Sequence, residues 1–172
     1  MWMFRVGRRS RWTLFVNKAR RMRDPSVQAD VESAARDLTP RSGENLSVYR
    51  GARGELEEEA SVLYAVTIRD RPRDMEYVLI PDDCLNDYTC VKTPSEHGAP
   101  HLRERHYEIM DLQESERREE LARRVLAHAR TVVDRIPESA LIARARALCK
   151  GDPTLREALL GVWPTVLRST GS

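Results

Sequence analysis

Nine prolines cut the 172-residue chain into short segments, and the apolar spacing inside each one names the element it can form. Asp24-Pro25-Ser26 predicts a helix start, with Asp accepting from free amides and Pro at the first turn where its missing donor costs nothing. Val27, Val31, Ala34, Ala35 and Leu38 follow at helical spacing, and Pro40 ends that run. Leu46-Ser47-Val48-Tyr49-Arg50 alternates as a strand, Gly51 to Gly54 breaks it, and Glu55 to Glu59 opens a second helix carrying Leu56, Ala60, Leu63, Tyr64 and Thr67. Met75 to Ile80 is the clearest strand, stopped by Pro81-Asp82-Asp83. Residues 46–80 therefore read β-α-β, with a right-handed crossover if the two strands are parallel neighbours.

Residues 92–105 contain Pro94, Gly98 and Pro100 and no apolar period, so the sequence predicts a loop that is the most mobile or most ligand-dependent segment. An amphipathic helix is expected from Glu114 to Ile136, burying Leu121, Val125, Ala129, Val132 and Ile136 and ended by Pro137. A shorter helix follows over 138–150, with Gly151 at the cap position. Asp152-Pro153-Thr154 opens a last helix bearing Leu155, Leu159, Val162, Trp163 and Val166, which Pro164 should kink or split.

With only two Phe, five Tyr and three Trp, the core must be built mainly from Leu, Val, Ile and Ala. That composition favours an α+β domain: a small β-α-β core, a basic N-terminal hairpin or arm, and a C-terminal helical bundle. One domain is expected over 1–172, divided into arm 1–23, core 24–112 and helical region 113–172. The apolar run Trp12 to Val16 is too short for a signal core or a membrane span, so no membrane association is expected. Three cysteines, Cys84, Cys90 and Cys149, are too few and too odd for a disulfide framework, which points to a reducing compartment, the cytoplasm.

Charge is distributed very unevenly. Residues 1–23 hold eight bases and no acid, which leaves 21 bases against all 27 acids in the rest of the chain. Trp2, Phe4, Trp12 and Phe15 lie among those bases, with Trp2-Met3-Phe4-Arg5-Val6 and Trp12-Thr13-Leu14-Phe15-Val16 composed like the two strands of a hairpin. A positive field of this kind attracts nucleic acid or an acidic protein surface, and basic residues beside exposed aromatics suit single-stranded nucleic acid. Arg5, Arg8, Arg9, Arg11, Trp12, Arg20, Arg21 and Arg23 are thus the expected partner-binding residues. An alternative is pairing with the acidic helix at 55–68, within one molecule or between two copies in a homo-oligomer. Since only Lys18, Lys92 and Lys150 are lysines, GC-rich coding accounts for part of the arginine excess.

Candidate chemistry is sparse. Cys84, Cys90, His97 and His101 are spaced C-x5-C-x6-H-x3-H and offer a tetrahedral ligand set, though the pairing distances depart from those of a zinc finger. A helix carrying Glu58 and Glu59, a strand running into Pro81-Asp82, and Cys90-Val91-Lys92 together resemble the restriction-endonuclease-like superfamily. That resemblance implies metal-dependent nuclease chemistry on Glu58, Asp82 and Lys92, but Cys90 stands where the second carboxylate belongs. Tyr49-Arg50-Gly51 faintly resembles the arginine strand of ADP-ribosyltransferases, without that family's later Glu-x-Glu loop in the right order. His106, between Glu104 and Glu108, has the setting of a general base but no recognisable nucleophile. No phosphate loop, dinucleotide glycine pattern or nucleophile elbow is present, so no cofactor is expected. The expected function is a non-enzymatic module that binds a protein or nucleic-acid partner through the basic arm, the amphipathic C-terminal helices, or both. Removing residues 1–23 should then abolish binding and leave the rest folded.

Overall fold

The computed structural model describes residues 2–5, 12–16, 19–40, 44–51, 74–93, 104–128, 133–151, 153–154 and 156–157. The strands are β1 (Trp2–Arg5), β2 (Thr13–Val16), β3 (Ala19–Met22), β4 (Leu46–Arg50), β5 (Met75–Ile80), β6 (Cys90–Lys92), β7 (His106–Ile109) and β8 (Val133–Ile136). Three α-helices are described, α1 (Gln28–Ala35), α2 (Ser115–Ala127) and α3 (Glu138–Gly151), with 3-10 turns at Arg36–Leu38 and Asp82–Leu85. The fold is α+β, as the composition implies.

Among the described residues, six strands form one sheet in the order β6-β7-β4-β1-β5-β8, and every neighbouring pair is antiparallel. The N-terminal strand sits inside it. All four residues of β1 pair with β5, from Trp2↔Ile80 to Arg5↔Tyr77, and Trp2 and Met3 also pair with Arg50 and Tyr49 of β4. This corrects the expected arm. Residues 2–5 do not form a hairpin with 12–16, because the edges of β4 and β5 offer β1 hydrogen-bond partners on both sides. The two strands of the expected β-α-β unit are present and parallel, but they are not neighbours, because β1 lies between them. The helix expected at 55–68 lies outside the described residues.

A second, two-stranded sheet pairs β2 with β3 in the register Thr13↔Met22 to Val16↔Ala19. Its partner strand, Ala19-Arg20-Arg21-Met22, escapes a sequence reading because alanine and arginine have little intrinsic strand preference. The base of this ribbon is tied to the core. The Arg23 amide donates to the Trp12 carbonyl at 2.9 Å, the Trp12 indole N–H donates to Asp37 Oδ2 at 3.1 Å, and the Arg23 guanidinium pairs with Asp30.

One face of the large sheet presents Val48, Val78, Ile80 and Ile109 to a layer made by α1, α2 and the turn after β5. Trp12, Val31, Ala34, Leu38, Leu121 and Val125 are fully buried there, and Cys84, Leu85 and Tyr88 extend the same core. Helices α1 and α2 are also joined at the surface, where Gln28 Nε2 donates to Glu119 and Arg123 donates to the Pro25 carbonyl and to Gln28 Oε1. Tyr77 and Leu79, alternate to Val78 and Ile80 on β5, are buried as well, so this strand is covered on both faces.

Three local expectations change. Asp24 does not cap the helix: its Oδ1 accepts from the Ser26 amide at 2.8 Å, closing a turn, and Val27 is the N-cap without a side-chain bond. The helix expected over 114–136 ends at Ala127, and Val133–Ile136 pairs along β5 as an edge strand. Val125, Ala129, Val132 and Ile136 fit helical spacing, but the outer edge of β5 stabilises the extended form of the β-branched stretch at 133–136. The C-terminal region is therefore not helical throughout. Gly151 is the last residue of α3 instead of lying beyond it, and Pro153, Thr154, Arg156 and Glu157 are helical too. α3 starts after Pro137 with its Glu138 amide held by Asp74 Oδ1 at 2.8 Å. The kink expected at Pro164 lies outside the described residues. No helix among the described residues is long and apolar enough to cross a membrane.

Candidate functional site

Of the eight positions expected to bind a partner, Arg5, Trp12, Arg20, Arg21 and Arg23 lie among the described residues. Arg5 lies on β1, inside the large sheet, and Arg8, Arg9 and Arg11 are outside the described residues. Trp12 is 0% exposed, so its ring cannot offer a face to a base, which corrects its assignment as a stacking residue. The reason is energetic: burying an indole removes more apolar area from water than almost any other side chain, and Asp37 satisfies its N–H. Arg20 and Arg21 lie on β3, where Arg21 is exposed, and Arg23 is engaged with Asp30. Among the described residues, the ribbon β2–β3 carries Arg20 and Arg21 of the expected set, and its base is tied to the core through Trp12 and Arg23.

Of the nuclease-like layout, the described parts lie at or just after the ends of strands that are not neighbours. β5 and β6 would need to be adjacent to bring Asp82 beside Lys92, but three strands separate them, which puts them about 19 Å apart at ordinary strand spacing. The Lys92 ammonium lies 2.6 Å from Glu104 Oε2, and that exposed pair raises the lysine's pKa and lowers the carboxyl's. Glu58 lies outside the described residues.

His106 is a sheet residue. Its Nδ1 lies 2.6 Å from the Thr93 carbonyl oxygen, which can only accept, so that nitrogen carries the proton and donates. The Tyr49 ring meets it edge-on at 5.3 Å. Neither flanking acid orients it, because Glu104 pairs with Lys92 and Glu108 accepts from Asn45 Nδ2 at 3.0 Å.

A different group comes together where the turn after β5 meets the end of α2. Asp83, Cys84 and His128 each place a ligand atom within 4.8 Å of the other two, with His128 Nε2 3.5 Å from Asp83 Oδ2. Asp83 is exposed and His128 partly so, while Cys84 is buried beneath them. The elements carrying them are braced independently of this group. Arg124 Nη2 lies 2.9 Å from Asp87 Oδ2 and its Nε 2.9 Å from Glu120 Oε1, the Arg117 guanidinium stacks 4.2 Å above the Tyr88 ring, and the Tyr88 hydroxyl donates to the Arg117 carbonyl at 2.8 Å. At the far end of the turn the Thr89 amide donates to Asp111 Oδ2 at 2.6 Å, which holds that carboxyl below its usual range.

Cysteine, histidine and aspartate together suggest an activated nucleophile, but the electrostatics oppose it. Burial, reinforced by the charge of Asp83 and only partly offset by Arg124, pushes the Cys84 thiol up to about 11. Attack requires the thiolate, and here the thiol dominates at neutral pH. We expect Cys84 to alkylate far more slowly than an unfolded cysteine. Because the folded chain holds this proton more tightly than the unfolded one, the resulting stabilisation is complete below about pH 9 and lost as pH rises through about 11. In metal-free protein that loss should be roughly 2 kcal/mol, read as the difference between the urea-unfolding profiles of the parent and Cys84→Ala over that window. A parallel pair of profiles would show that the thiol is not buried.

Of the Cys/His set expected from the sequence, Cys84 and Cys90 are described and His97 and His101 are not. Cys90 lies on β6 and is not part of the group at Cys84. His128 could not have been chosen from spacing alone, since it lies 44 positions beyond Cys84. Nothing in the sequence marked it either, because the helix expected over 114–136 placed it mid-helix, and only the structure ends that helix at Ala127. Compared with models of protein families, with curated proteins and with solved structures, the chain matches none.

Proposed function

We propose that the protein is a non-enzymatic interaction module that binds an anionic macromolecule, nucleic acid or an acidic protein surface, through the basic residues of its first 23 positions. The observation that carries this reading is the ribbon β2–β3. It is a two-stranded sheet separate from the large one, anchored at its base by Trp12 and Arg23, and it bears Arg20 and Arg21, with Lys18 between its strands in the sequence. A ribbon of this width suits a nucleic-acid groove, and the lack of any acid before Asp24 leaves nothing in the segment to repel phosphate.

Among the described C-terminal helices, α2 and α3 serve this role less well. Leu121, Ala122, Val125 and Leu126 of α2 and Leu141, Ala145 and Cys149 of α3 are buried, so the apolar faces that would dock a partner are already used. Three cysteines outside any disulfide support action in a reducing compartment, the cytoplasm.

The test is titration of the full chain and of Arg20→Gln/Arg21→Gln with single- and double-stranded nucleic acid and with an acidic polypeptide, over a range of salt. We expect affinity to fall steeply with salt, and the double variant to flatten the slope by about one for each phosphate it no longer neutralises. Equal binding by both proteins, or no salt-dependent binding to any of the polyanions, would end this reading.

A further inference from the structure

Among the described residues, Asp83, Cys84 and His128 bring three chemically different metal donors to one point, from two elements far apart in the chain. We propose that these three side chains bind a zinc ion, which pins the turn after β5 to the C-terminal end of α2. The site is distinct from the basic ribbon, and nothing in the proposed binding role depends on it.

The donor set fits the ion. Thiolate, imidazole and carboxylate are the ordinary protein ligands of Zn²⁺, a borderline-soft cation, whereas calcium and magnesium take oxygen alone. Geometry fits as well. Bonds of about 2.0–2.3 Å arranged tetrahedrally put neighbouring ligand atoms about 3.4–3.6 Å apart. His128 Nε2 and Asp83 Oδ2 already stand 3.5 Å apart, and the 4.8 Å limit on the whole group leaves about 1 Å of adjustment for the thiol. Charge balances too, since one carboxylate and one thiolate neutralise a dication. Arg124, the cation acting on Cys84, is held by Asp87 and Glu120 and brings its own counter-charges.

The backbone supports a preformed site. Cys84 lies in the 3-10 turn Asp82–Leu85, with its amide bonded to the Pro81 carbonyl at 3.2 Å. His128 leaves the helix at φ −87 and ψ 65, with its amide bonded to the Val125 carbonyl at 3.1 Å. Three protein ligands, two of them reaching solvent, leave a fourth tetrahedral position to water. The ion therefore lies at the surface above a buried sulfur. Metal binding of this kind favours the folded chain, because the unfolded chain cannot bring positions 83–84 and 128 together.

The experiment uses the full chain, stripped with chelator and titrated with Zn²⁺ against a chromophoric competitor, and with Co²⁺ as a spectroscopic stand-in. One ion should bind per chain and raise Tm, and cobalt should give tetrahedral d–d bands with a thiolate-to-metal charge-transfer band. Asp83→Asn and His128→Gln replace side chains that reach solvent, so folding should persist while affinity drops more than about 100-fold, beyond what loss of an outer-shell partner costs. Cys84→Ser should remove the charge-transfer band, whereas Cys90→Ser and His97→Ala/His101→Ala should retain it. Absence of stoichiometric binding overturns the proposal. So does binding that survives His128→Gln in a folded chain, or binding lost in His97→Ala/His101→Ala, which would assign the ion to those two histidines instead.

Discussion

A chain beginning at residue 24 should fail to fold. Its loss removes β1, the strand that joins β4 to β5, and so divides the six-stranded sheet into a β6-β7-β4 piece and a β5-β8 piece. It strips the hydrogen-bond partners from the inner edges of β4 and β5 and leaves both open to pairing with other chains. It also removes Trp12 from the centre of the core. A domain of this size is stable by only about 5–15 kcal/mol, and the buried indole alone accounts for about 3–5 of that. We expect aggregation or a molten state without a cooperative urea transition, measured by circular dichroism and fluorescence. A cooperative transition in the truncated chain would mean that β1 is an appendage after all. The same result bears on function: failure of the truncated chain to bind would say nothing about a basic interface, and only substitutions on the intact fold, such as those at Arg20 and Arg21, can test it.

The second large effect concerns Trp12 itself. Trp12→Ala should destabilise the protein by about 3–5 kcal/mol, read from the shift in urea midpoint at unchanged slope. Trp12→Phe keeps most of the apolar volume but deletes the donor to Asp37, so it should cost about 1–3 kcal/mol. Neither variant should change the salt slope of polyanion binding once conditions keep it folded, because a side chain with no exposed surface cannot touch a ligand. If Trp12→Ala proves nearly neutral to stability and lowers affinity, the indole meets the ligand directly and the binding surface extends across it.

Elements whose signal is local are legible in the chain alone. Leu46–Arg50 and Met75–Ile80 carry their own alternation and stop signals, and α1 and α3 carry helical spacing bounded by prolines, so these appear close to where periodicity places them. The uneven charge and the mixed composition likewise belong to the sequence, and with them the α+β class. Whatever depends on a partner strand or a distant side chain was settled by packing. Val133–Ile136 is extended because β5 offers an edge to pair with, not because four residues dictate it. Trp2–Arg5 becomes the centre of a sheet because two later strands flank it, and the same basic, aromatic composition would suit an arm equally well. Trp12 sits among arginines in the sequence yet lies inside the core, since hydrophobic burial acts on the folded surface and ignores chain neighbours. The Asp83, Cys84 and His128 group is the extreme case. Chain separation carries no information about spatial distance once a helix folds back across a sheet, so only the packing of α2 against the turn after β5 places imidazole beside thiol.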